Sequence, residues 1–196
     1  MKIRSAVPND AALIAPLMYS SAENYYELIF STPSKKAIDF IEFACKNDAG
    51  FWGYSITTVV EIDRQVVATV CSYPWNTTTR LIVSGFLAIL RFYGFRRGIR
   101  VILCCLQFTL RFKKMNKLEV YVAHLGTNKR FYRKGLASNL MKYIHSFWKE
   151  LGMNKSICDV EDLNIGSLNM LTKLGYKHVT TANFLNKKNY RLEKIL

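Results

Sequence analysis

The sequence is poor in acidic residues, and its five cysteines form no recognisable pattern. Only 14 aspartates and glutamates oppose 28 lysines and arginines, so the formal net charge is +14. The odd number of cysteines, with no Cys-x-x-Cys pair, argues against a disulfide framework and against a zinc site. We therefore expect no metal, and we expect a reducing, cytoplasmic setting.

Long hydrophobic runs are also missing. The two longest, near Leu81–Leu90 and Val101–Leu110, are each interrupted or bounded by arginine, and both fall short of the ~20 apolar residues that a membrane-spanning helix needs. The first residues, Met1 to Pro8, have no apolar segment behind their charges, so we expect no signal peptide. The 196 residues are expected to form one domain, 1–196, with two small domains as the alternative.

The excess of positive charge has two interpretations. It is either a solvated basic surface, or it serves an anionic ligand or partner such as a phosphorylated cofactor, nucleic acid or an anionic membrane. Charge alone does not choose between them, so the choice depends on where the basic residues cluster.

The most informative stretch is Leu118 to Leu140, which predicts a strand, a short basic loop and the start of a long helix. Val120 and Val122 favour a strand, and apolar residues recur at helical spacing from Leu136 onward. The loop between them carries four basic residues and a glycine: Lys129, Arg130, Arg133, Lys134 and Gly135. The first N–H groups of a helix lack partners and its dipole attracts anions, so this loop is predicted to hold phosphate.

The rest of the chain alternates between strands and helices. Further strands are predicted at Ile3–Ser5, Tyr54–Glu61, Val66–Ser72, Ser156–Val160, Tyr176–Phe184 and Tyr190–Leu196. Further helices are predicted after Pro8, after a cap at Ser34, and over Asn164–Leu174. Pro16 is expected to kink or end the first helix, unless it begins a second segment.

Two segments have a functional interpretation beside a structural one. Ser20–Phe30 mixes hydroxyls and an amide with aromatic rings, and it is either a loop packed on the core or one wall of a small-molecule pocket. Residues 81–110 predict a pair of amphipathic helices around a turn at Gly94 and Gly98. This pair either covers the core or binds a membrane surface or a partner through its basic residues, Arg91, Arg96, Arg97, Arg100, Lys113 and Lys114.

The order of these elements, together with two motifs, resembles the GNAT superfamily of N-acetyltransferases over most of the chain. The acetyl-CoA loop of that family, Arg/Gln-x-x-Gly-x-Gly/Ala, aligns with Tyr132 to Ala137. A later signature, Asn-x-x-Ala-x-x-Leu-Tyr-x-x-x-Gly-Phe, aligns with Asn164 to Tyr176. The resemblance implies an α/β (α+β) fold of one domain, in which helices flank a mixed, mostly antiparallel central sheet. An extra helical pair, at about residues 75–114, would lie between the third and fourth strands.

The resemblance also implies acetyl-CoA as a co-substrate and indicates the residues that would hold it. The backbone of the basic loop would cradle the pyrophosphate through Arg133, Lys134, Gly135, Leu136, Ala137 and Ser138. The edge of the fourth strand would pair with the pantetheine arm through Leu125, Gly126 and Thr127. Asn164 would either face the cofactor or simply cap its helix.

The sequence departs from the family pattern at three places. Tyr132 replaces the usual Arg or Gln of the loop, which removes one polar contact. Leu171 replaces the tyrosine that protonates the departing thiolate in many relatives, so Tyr176, another hydroxyl or solvent would act instead, or the protein would not catalyse transfer. The inward positions of the fourth strand, often Glu or His in relatives, are here Tyr121 and Ala123.

These departures leave the proton transfers open. Glu119 and His124 are the candidate bases, and a water-relayed base is a further alternative. His124 should point away from Tyr121 and Ala123 if side chains alternate, unless a bulge reverses it. Tyr121 is a candidate positioning group or acid.

The leading hypothesis is an N-acetyltransferase that moves an acetyl group from acetyl-CoA to a primary amine of a small molecule or polypeptide, by direct attack in a ternary complex. One alternative is a non-catalytic acyl-CoA-binding sensor or scaffold of the same fold. Another alternative is a basic protein that associates with a membrane surface or with nucleic acid. Of these two partners, nucleic acid is the less favoured. The scarcity of acidic residues favours an acceptor with its own carboxylate or phosphate, and we expect a monomer or homodimer.

Overall fold

The computed structural model describes residues 1–111, 114–184 and 186–196, and these residues form seven strands and seven helices. The strands are β1 (Lys2–Ser5), β2 (Thr57–Ile62), β3 (Gln65–Pro74), β4 (Glu119–Thr127), β5 (Lys155–Glu161), β6 (Lys177–Phe184) and β7 (Lys187–Ile195). The helices are α1 (Ala11–Ser21), α2 (Glu23–Phe30), α3 (Ala37–Lys46), α4 (Thr78–Tyr93), α5 (Phe95–Arg111), α6 (Leu136–Glu150) and α7 (Ile165–Lys173).

The strands form a single mixed sheet in the order β1-β2-β3-β4-β5-β7-β6. Neighbouring strands run antiparallel except β4 and β5, which are parallel. The predicted α/β (α+β) fold, a mostly antiparallel sheet flanked by helices, is confirmed. The helical pair expected between the third and fourth strands is α4 and α5, and the single-domain extent of 1–196 stays a prediction.

Helices cover both faces of the sheet. Helices α1 to α5 pack on what we call the first face, around buried side chains such as Met18, Phe40 and Ile89. Helices α6 and α7 pack on the second face, around Leu140 and Leu171. A side chain that leaves β4 therefore enters one of two separate cores, and this decides which groups it meets.

Two predictions about the N-terminal helices are corrected. Helix α1 does not end at Pro16, because the buried side chains of Ile14, Leu17 and Met18 hold it although proline supplies no backbone N–H; a kink at Pro16 stays a prediction. The segment Ser20–Phe30 is not a loop, since α1 runs to Ser21 and α2 begins at Glu23.

The start of α3 also differs from expectation. The helix begins at Ala37, and the first N–H, that of Ala37, donates to the hydroxyl oxygen of Ser31 at 3.1 Å rather than to Ser34. The Ser34 hydroxyl instead accepts a hydrogen bond from Arg97 at 2.6 Å. A capping hydroxyl six residues before the helical N–H is hard to predict from the sequence, because the intervening turn must fold so that it brings the hydroxyl next to the start of the helix.

The remaining differences lie at strand ends. Residues Tyr54–Ile56 form a 3₁₀ turn, so β2 begins at Thr57. Strand β7 begins at Lys187, inside the turn predicted between the closing strands. Lys113, one of the basic residues assigned to the helical pair, lies outside the described residues. In the part of the chain that the structure describes, no helix has the length and apolarity required to cross a membrane.

Candidate active site

Strand β4 carries a bulge at His124. On β3, Thr69 pairs with Gly126 and Cys71 pairs with Ala123, so a single β3 residue between them faces two residues of β4. His124 has a φ of 52°, which lies in the left-handed region. An extra residue in this conformation bends a strand and reverses the direction of the side chains that follow.

The bulge turns His124 onto the first face of the sheet. Strict alternation would have placed its ring on the second face, but the ring centroid lies 5.8 Å from that of Tyr26 and 6.5 Å from that of Trp52. Ala123 also packs on the first-face core. The alternative in which a bulge reverses His124 is therefore the one that the structure shows.

Tyr26 and His124 form a polar pair within this aromatic surrounding. The Tyr26 hydroxyl and Nδ1 of His124 are 2.7 Å apart. Burial raises the pKa of Tyr26 well above its ordinary value, so the phenol keeps its proton. Burial lowers the pKa of His124 to about 4, so the imidazole is neutral at pH 7. Since Nδ1 faces Tyr26, Nε2 is the ring nitrogen available to a substrate.

Strands β4 and β5 separate just before the bulge. Their last pair is Tyr121 with Ile157, although β4 continues to Thr127 and β5 to Glu161. Within the described part of the chain, the edge of β4 that faces β5 therefore pairs with no strand over residues 122–127. This exposed edge contains all three residues predicted to meet the pantetheine arm, Leu125, Gly126 and Thr127, and its free peptide groups suit an amide-rich ligand.

Gly126 has a second, purely structural reason to be glycine. A Cβ built on it would lie 2.0 Å from the backbone oxygen of Leu17, because α1 crosses β4 at this point. No side chain fits in that space. The lack of a side chain at residue 126 is thus explained by helix packing, and the predicted cofactor role concerns its backbone only.

The basic loop before α6 forms a nest of backbone N–H groups. Arg133 and Gly135 have φ values of 60° and 75°, and helix α6 begins at Leu136 without a side-chain cap. Among the described residues, no hydrogen-bond acceptor is found for the backbone N–H groups of residues 133–138. Such a run of unpaired N–H groups at the start of a helix is an anion-binding site.

The space beside Gly135 is open. A Cβ built on this glycine would meet no atom of the described residues within 4 Å. Leu136 is buried, so it can contribute only its N–H, whereas Ala137 and Ser138 are half-buried. The loop side chains Lys129, Arg130, Arg133 and Lys134 are exposed and form no ion pair with the described acidic residues. Both the shape and the charge fit a pyrophosphate.

Asn164 caps α7, as one of its two interpretations predicted. Its side-chain oxygen accepts a hydrogen bond from the N–H of Ser167 at 3.1 Å. The residue is exposed, and its amide nitrogen has no partner among the described residues. A contact with the cofactor stays a prediction.

A buried polar cluster lies where β4 and β5 part. The Tyr121 hydroxyl donates to Oδ2 of Asp159 at 2.8 Å, and Arg191 on β7 donates from Nε to Oδ1 at 2.8 Å. Arg191 also reaches Oδ2 from Nη2 at 2.5 Å, which makes the ion pair bidentate. Burial and the charge of Asp159 raise the pKa of Tyr121 well above its ordinary value.

Sequence reasoning missed Asp159 and Arg191. The available signal was weak, because β5 and β7 each contain other charged residues. Their pairing was not predictable, because it depends on β7 lying directly beside β5 in the sheet.

Glu119, a candidate base, is already engaged at the other end of β4. Its carboxylate accepts from the backbone and side chain of Asn116 at 2.7 and 3.1 Å and pairs with Lys155 at 3.4 Å. Burial alone would raise the pKa of Glu119, but these bonds outweigh it and lower the pKa. A carboxylate held in this way, five residues before the bulge, has little capacity to take a proton there.

Tyr176, a candidate acid, lies in the second-face core. Its hydroxyl is buried and bonds to Oγ of Ser156 at 2.6 Å and to Nε2 of His145 at 2.9 Å. Burial raises the pKa of Tyr176. Tyr176 therefore faces away from Tyr121 and His124, and we give it no part in the chemistry proposed below.

Comparisons with known proteins agree with this geometry. The sequence matches the Acetyltransferase (GNAT) family over residues 16–176. The structure resembles that of an acetyltransferase with 20% identity and a TM-score of 0.73, covering 100% of this chain and 99% of the other. It also resembles an N-acetyltransferase from Staphylococcus aureus Mu50 with 20% identity and a TM-score of 0.76, covering 99% of this chain and 100% of the other.

A third similar structure is yncA, a putative acetyltransferase from Salmonella typhimurium that was solved with its cofactor acetyl-CoA. It has 12% identity and a TM-score of 0.55, covering 100% of this chain and 93% of the other. At such identities, the structural likeness shows the fold alone, and a search of curated proteins finds no significant match. The family match spans well over half of the sequence, and the chain therefore belongs to the GNAT family of acetyltransferases.

Proposed function

We propose that the protein transfers an acetyl group from acetyl-CoA to a primary amine, by direct attack in a ternary complex. The observation that carries this proposal is the combination of two features of one stretch. A nest of unpaired N–H groups at residues 133–138 lies next in sequence to a free strand edge at residues 122–127. The first fits a pyrophosphate and the second fits an amide-rich arm.

Acetyl-CoA, when bound, supplies an activated acetyl thioester. The nest and the loop side chains Lys129, Arg130, Arg133 and Lys134 would hold its phosphates. The free edge of β4 would hold the pantetheine arm and direct the thioester toward the bulge. The backbone of the bulge, near Thr127, would supply an N–H that polarises the carbonyl oxygen.

His124 is the base that the geometry favours. We assign His124 the tautomer with its proton on Nδ1, in which the imidazole donates to the Tyr26 oxygen and Nε2 is free to accept a proton. The opposite tautomer, in which the Tyr26 hydroxyl donates to Nδ1, would carry its proton on Nε2 and could not act as the base. With a pKa of about 4, His124 cannot take a proton from an ordinary ammonium ion, whose pKa is ~10. It therefore acts on an amine that is already neutral, accepting the proton as the new N–C bond makes the nitrogen acidic.

Tyr121 is assigned a positioning role. A free thiol has a pKa of about 8.5, whereas the pKa of Tyr121 is raised well above its ordinary value. Proton transfer from this phenol to a departing thiolate is therefore unfavourable. Tyr121 and Asp159 instead shape the wall of the site, and solvent protonates the sulfur after the C–S bond breaks.

The acceptor is proposed to enter on the first face, beside α2. There Tyr25 accepts a hydrogen bond from the amide of Asn189 at 2.6 Å, and Asp159 is neutralised by Arg191. Because that carboxylate is already paired, it offers no free negative charge to a cationic amine, and the excess of basic residues in the chain supports an acceptor that carries its own carboxylate or phosphate. The cytoplasmic setting and the state as a monomer or homodimer stay predictions.

Turnover is the direct test of the proposed function. Purified protein is incubated with acetyl-CoA and a panel of amines, with and without acidic groups, and free thiol is measured. We expect thiol release that depends on one class of amine. Tight acetyl-CoA binding without thiol release for any amine would instead favour the non-catalytic sensor.

The substitution His124→Gln tests the assigned base. Gln keeps a polar side chain of similar length but cannot accept the proton, so kcat should fall by about 10²- to 10⁴-fold. The Kd for acetyl-CoA should stay unchanged, because His124 lies outside the nest and the substitution leaves the backbone of the β4 edge in place. The exposed His178 on β6 offers a matched control, and H178Q should leave kcat intact. An undiminished kcat for His124→Gln would show that water relays the proton elsewhere.

A further inference from the structure

Helix α5 exposes a continuous apolar stripe to solvent. Its large apolar side chains recur at intervals of three or four residues and are between 38% and 78% exposed: Phe95, Ile99, Leu103, Leu106 and Leu110. This spacing aligns them along one side of the helix. The helix packs on the protein through a different side, where Val101 is buried and Gly98 approaches Leu90 of α4. The apolar side chains of the stripe are therefore not needed to pack α5 against the protein core.

A basic stripe runs directly beside the apolar one. Arg96, Arg100 and Arg111 each follow an apolar residue of the stripe by one position, which places them ~100° around the helix. All three are exposed, and within the described part of the chain none forms an ion pair. Long arginine side chains beside an apolar surface extend toward an adjacent polar layer.

The surrounding segment contains no negative charge. Residues 64–118 include no aspartate or glutamate, although 14 occur elsewhere in the chain. Nothing in this segment can therefore neutralise the arginines, and a partner for this face must supply the negative charge itself.

We propose that α5 docks the protein on an anionic lipid bilayer. The apolar stripe would lie in the plane of the interface, at the boundary of headgroups and acyl chains, with the arginines on lipid phosphates. A second copy of the chain fits less well, since a symmetric contact would bring two arginine rows together without an acid. Nucleic acid would engage the arginines but leave the apolar stripe uncovered. The bilayer is the partner that satisfies both stripes.

Vesicle sedimentation with the full-length protein tests this proposal. One set of vesicles is pure phosphatidylcholine, and the other contains roughly a third phosphatidylserine, a typical anionic lipid. We expect binding to the anionic vesicles only, weakened by added salt. Failure to sediment with anionic vesicles at low salt would overturn the proposal. Binding to both sets of vesicles that does not change with salt would contradict the role assigned to the arginines.

Variants separate the two stripes. Leu103→Ser with Leu106→Ser should weaken binding at least tenfold, and so should Arg96→Gln with Arg100→Gln. Leu13→Ser on α1, at 47% exposure a match for Leu103 at 54%, and Lys149→Gln on α6 should change little. Circular dichroism checks that each variant folds.

Unchanged binding after loss of the leucines would overturn the role of the apolar stripe. A wild-type dimer that becomes monomeric in the leucine variant, with no vesicle binding, would show the face to be a subunit interface instead.

Discussion

Gly135→Leu is expected to abolish acetyl-CoA binding while the protein keeps its fold. The first atom of the leucine side chain would enter empty space, since a Cβ there meets no atom of the described residues within 4 Å. Gly135 lies within the run of N–H groups at residues 133–138, so we expect its side chain to enter the volume proposed for the pyrophosphate. The side chain would thus displace the phosphate without disturbing a protein contact. Calorimetric titration with acetyl-CoA measures the loss directly.

Backbone strain must be separated from this effect. Gly135 has a φ of +75°, and a non-glycine residue in the left-handed region costs roughly 1–2 kcal/mol. Gly152, at the other end of α6, has a φ of +82° and is equally open. Gly152→Leu therefore carries the same strain without blocking the nest, and it should lose similar stability but keep its affinity for acetyl-CoA.

Thermal unfolding provides a second readout. Acetyl-CoA at 100 times its Kd should stabilise the wild type and Gly152→Leu by about 2.7 kcal/mol and should leave Gly135→Leu unaffected. Equal affinity in Gly135→Leu and the wild type would show that the pyrophosphate lies elsewhere. Equal loss of affinity in both variants would point to a general disturbance of α6 instead.

Local patterns were sufficient to predict most of the strands and the strand, loop and helix around Gly135, and the family resemblance supplied the architecture of the sheet. Gly135 was found from a motif of six residues, and the strand–loop–helix order around it follows from apolar periodicity within the same stretch. The family match and the seven-stranded sheet confirm the family and the fold, whereas phosphate binding by the loop stays a prediction.

Features that depend on contacts between distant elements were not predictable in the same way. The direction of His124 depends on one extra residue opposite β3, which no periodicity reveals. Gly126 reads as part of a ligand-binding edge, yet α1 requires a glycine there because Leu17 crosses it. The helical conformation of α2 was obscured by its mixture of hydroxyls and aromatic rings, which also suits a loop. In each of these cases tertiary packing, and not the local pattern, decides the outcome.

The largest expected loss of stability concerns Arg191, a residue that the sequence did not single out. The side chains of Arg191 and Asp159 are each only 5% exposed. Removing one partner of a buried ion pair leaves an uncompensated charge, at a cost of about 3–5 kcal/mol. Arg191→Met retains the length and apolar stem of the side chain. The loss in free energy of unfolding should therefore come from the unpaired, buried Asp159 carboxylate and not from a cavity. Denaturant unfolding measures the difference.

A nearby ion pair that is less deeply buried supplies the control. Lys187 on β7 bonds to Glu161 on β5 at 2.7 Å, and their side chains are 26% and 16% exposed. The same substitution, Lys187→Met, should cost only about 0–1 kcal/mol, because solvent screens the more exposed pair. The two variants thus compare ion pairs between the same two strands that differ chiefly in burial.

Compensating substitutions identify the source of the loss. Adding Asp159→Leu to Arg191→Met removes the buried charge and should recover most of the stability. The Tyr121 hydroxyl then lacks its acceptor, which still costs about 1–3 kcal/mol, and a third change, Tyr121→Phe, should remove that cost. If Arg191→Met alone were as stable as the wild type, or if Asp159→Leu deepened its loss, the cluster would owe its stability to packing rather than to charge pairing. The recovery series therefore decides what holds β4, β5 and β7 together at the mouth of the proposed site.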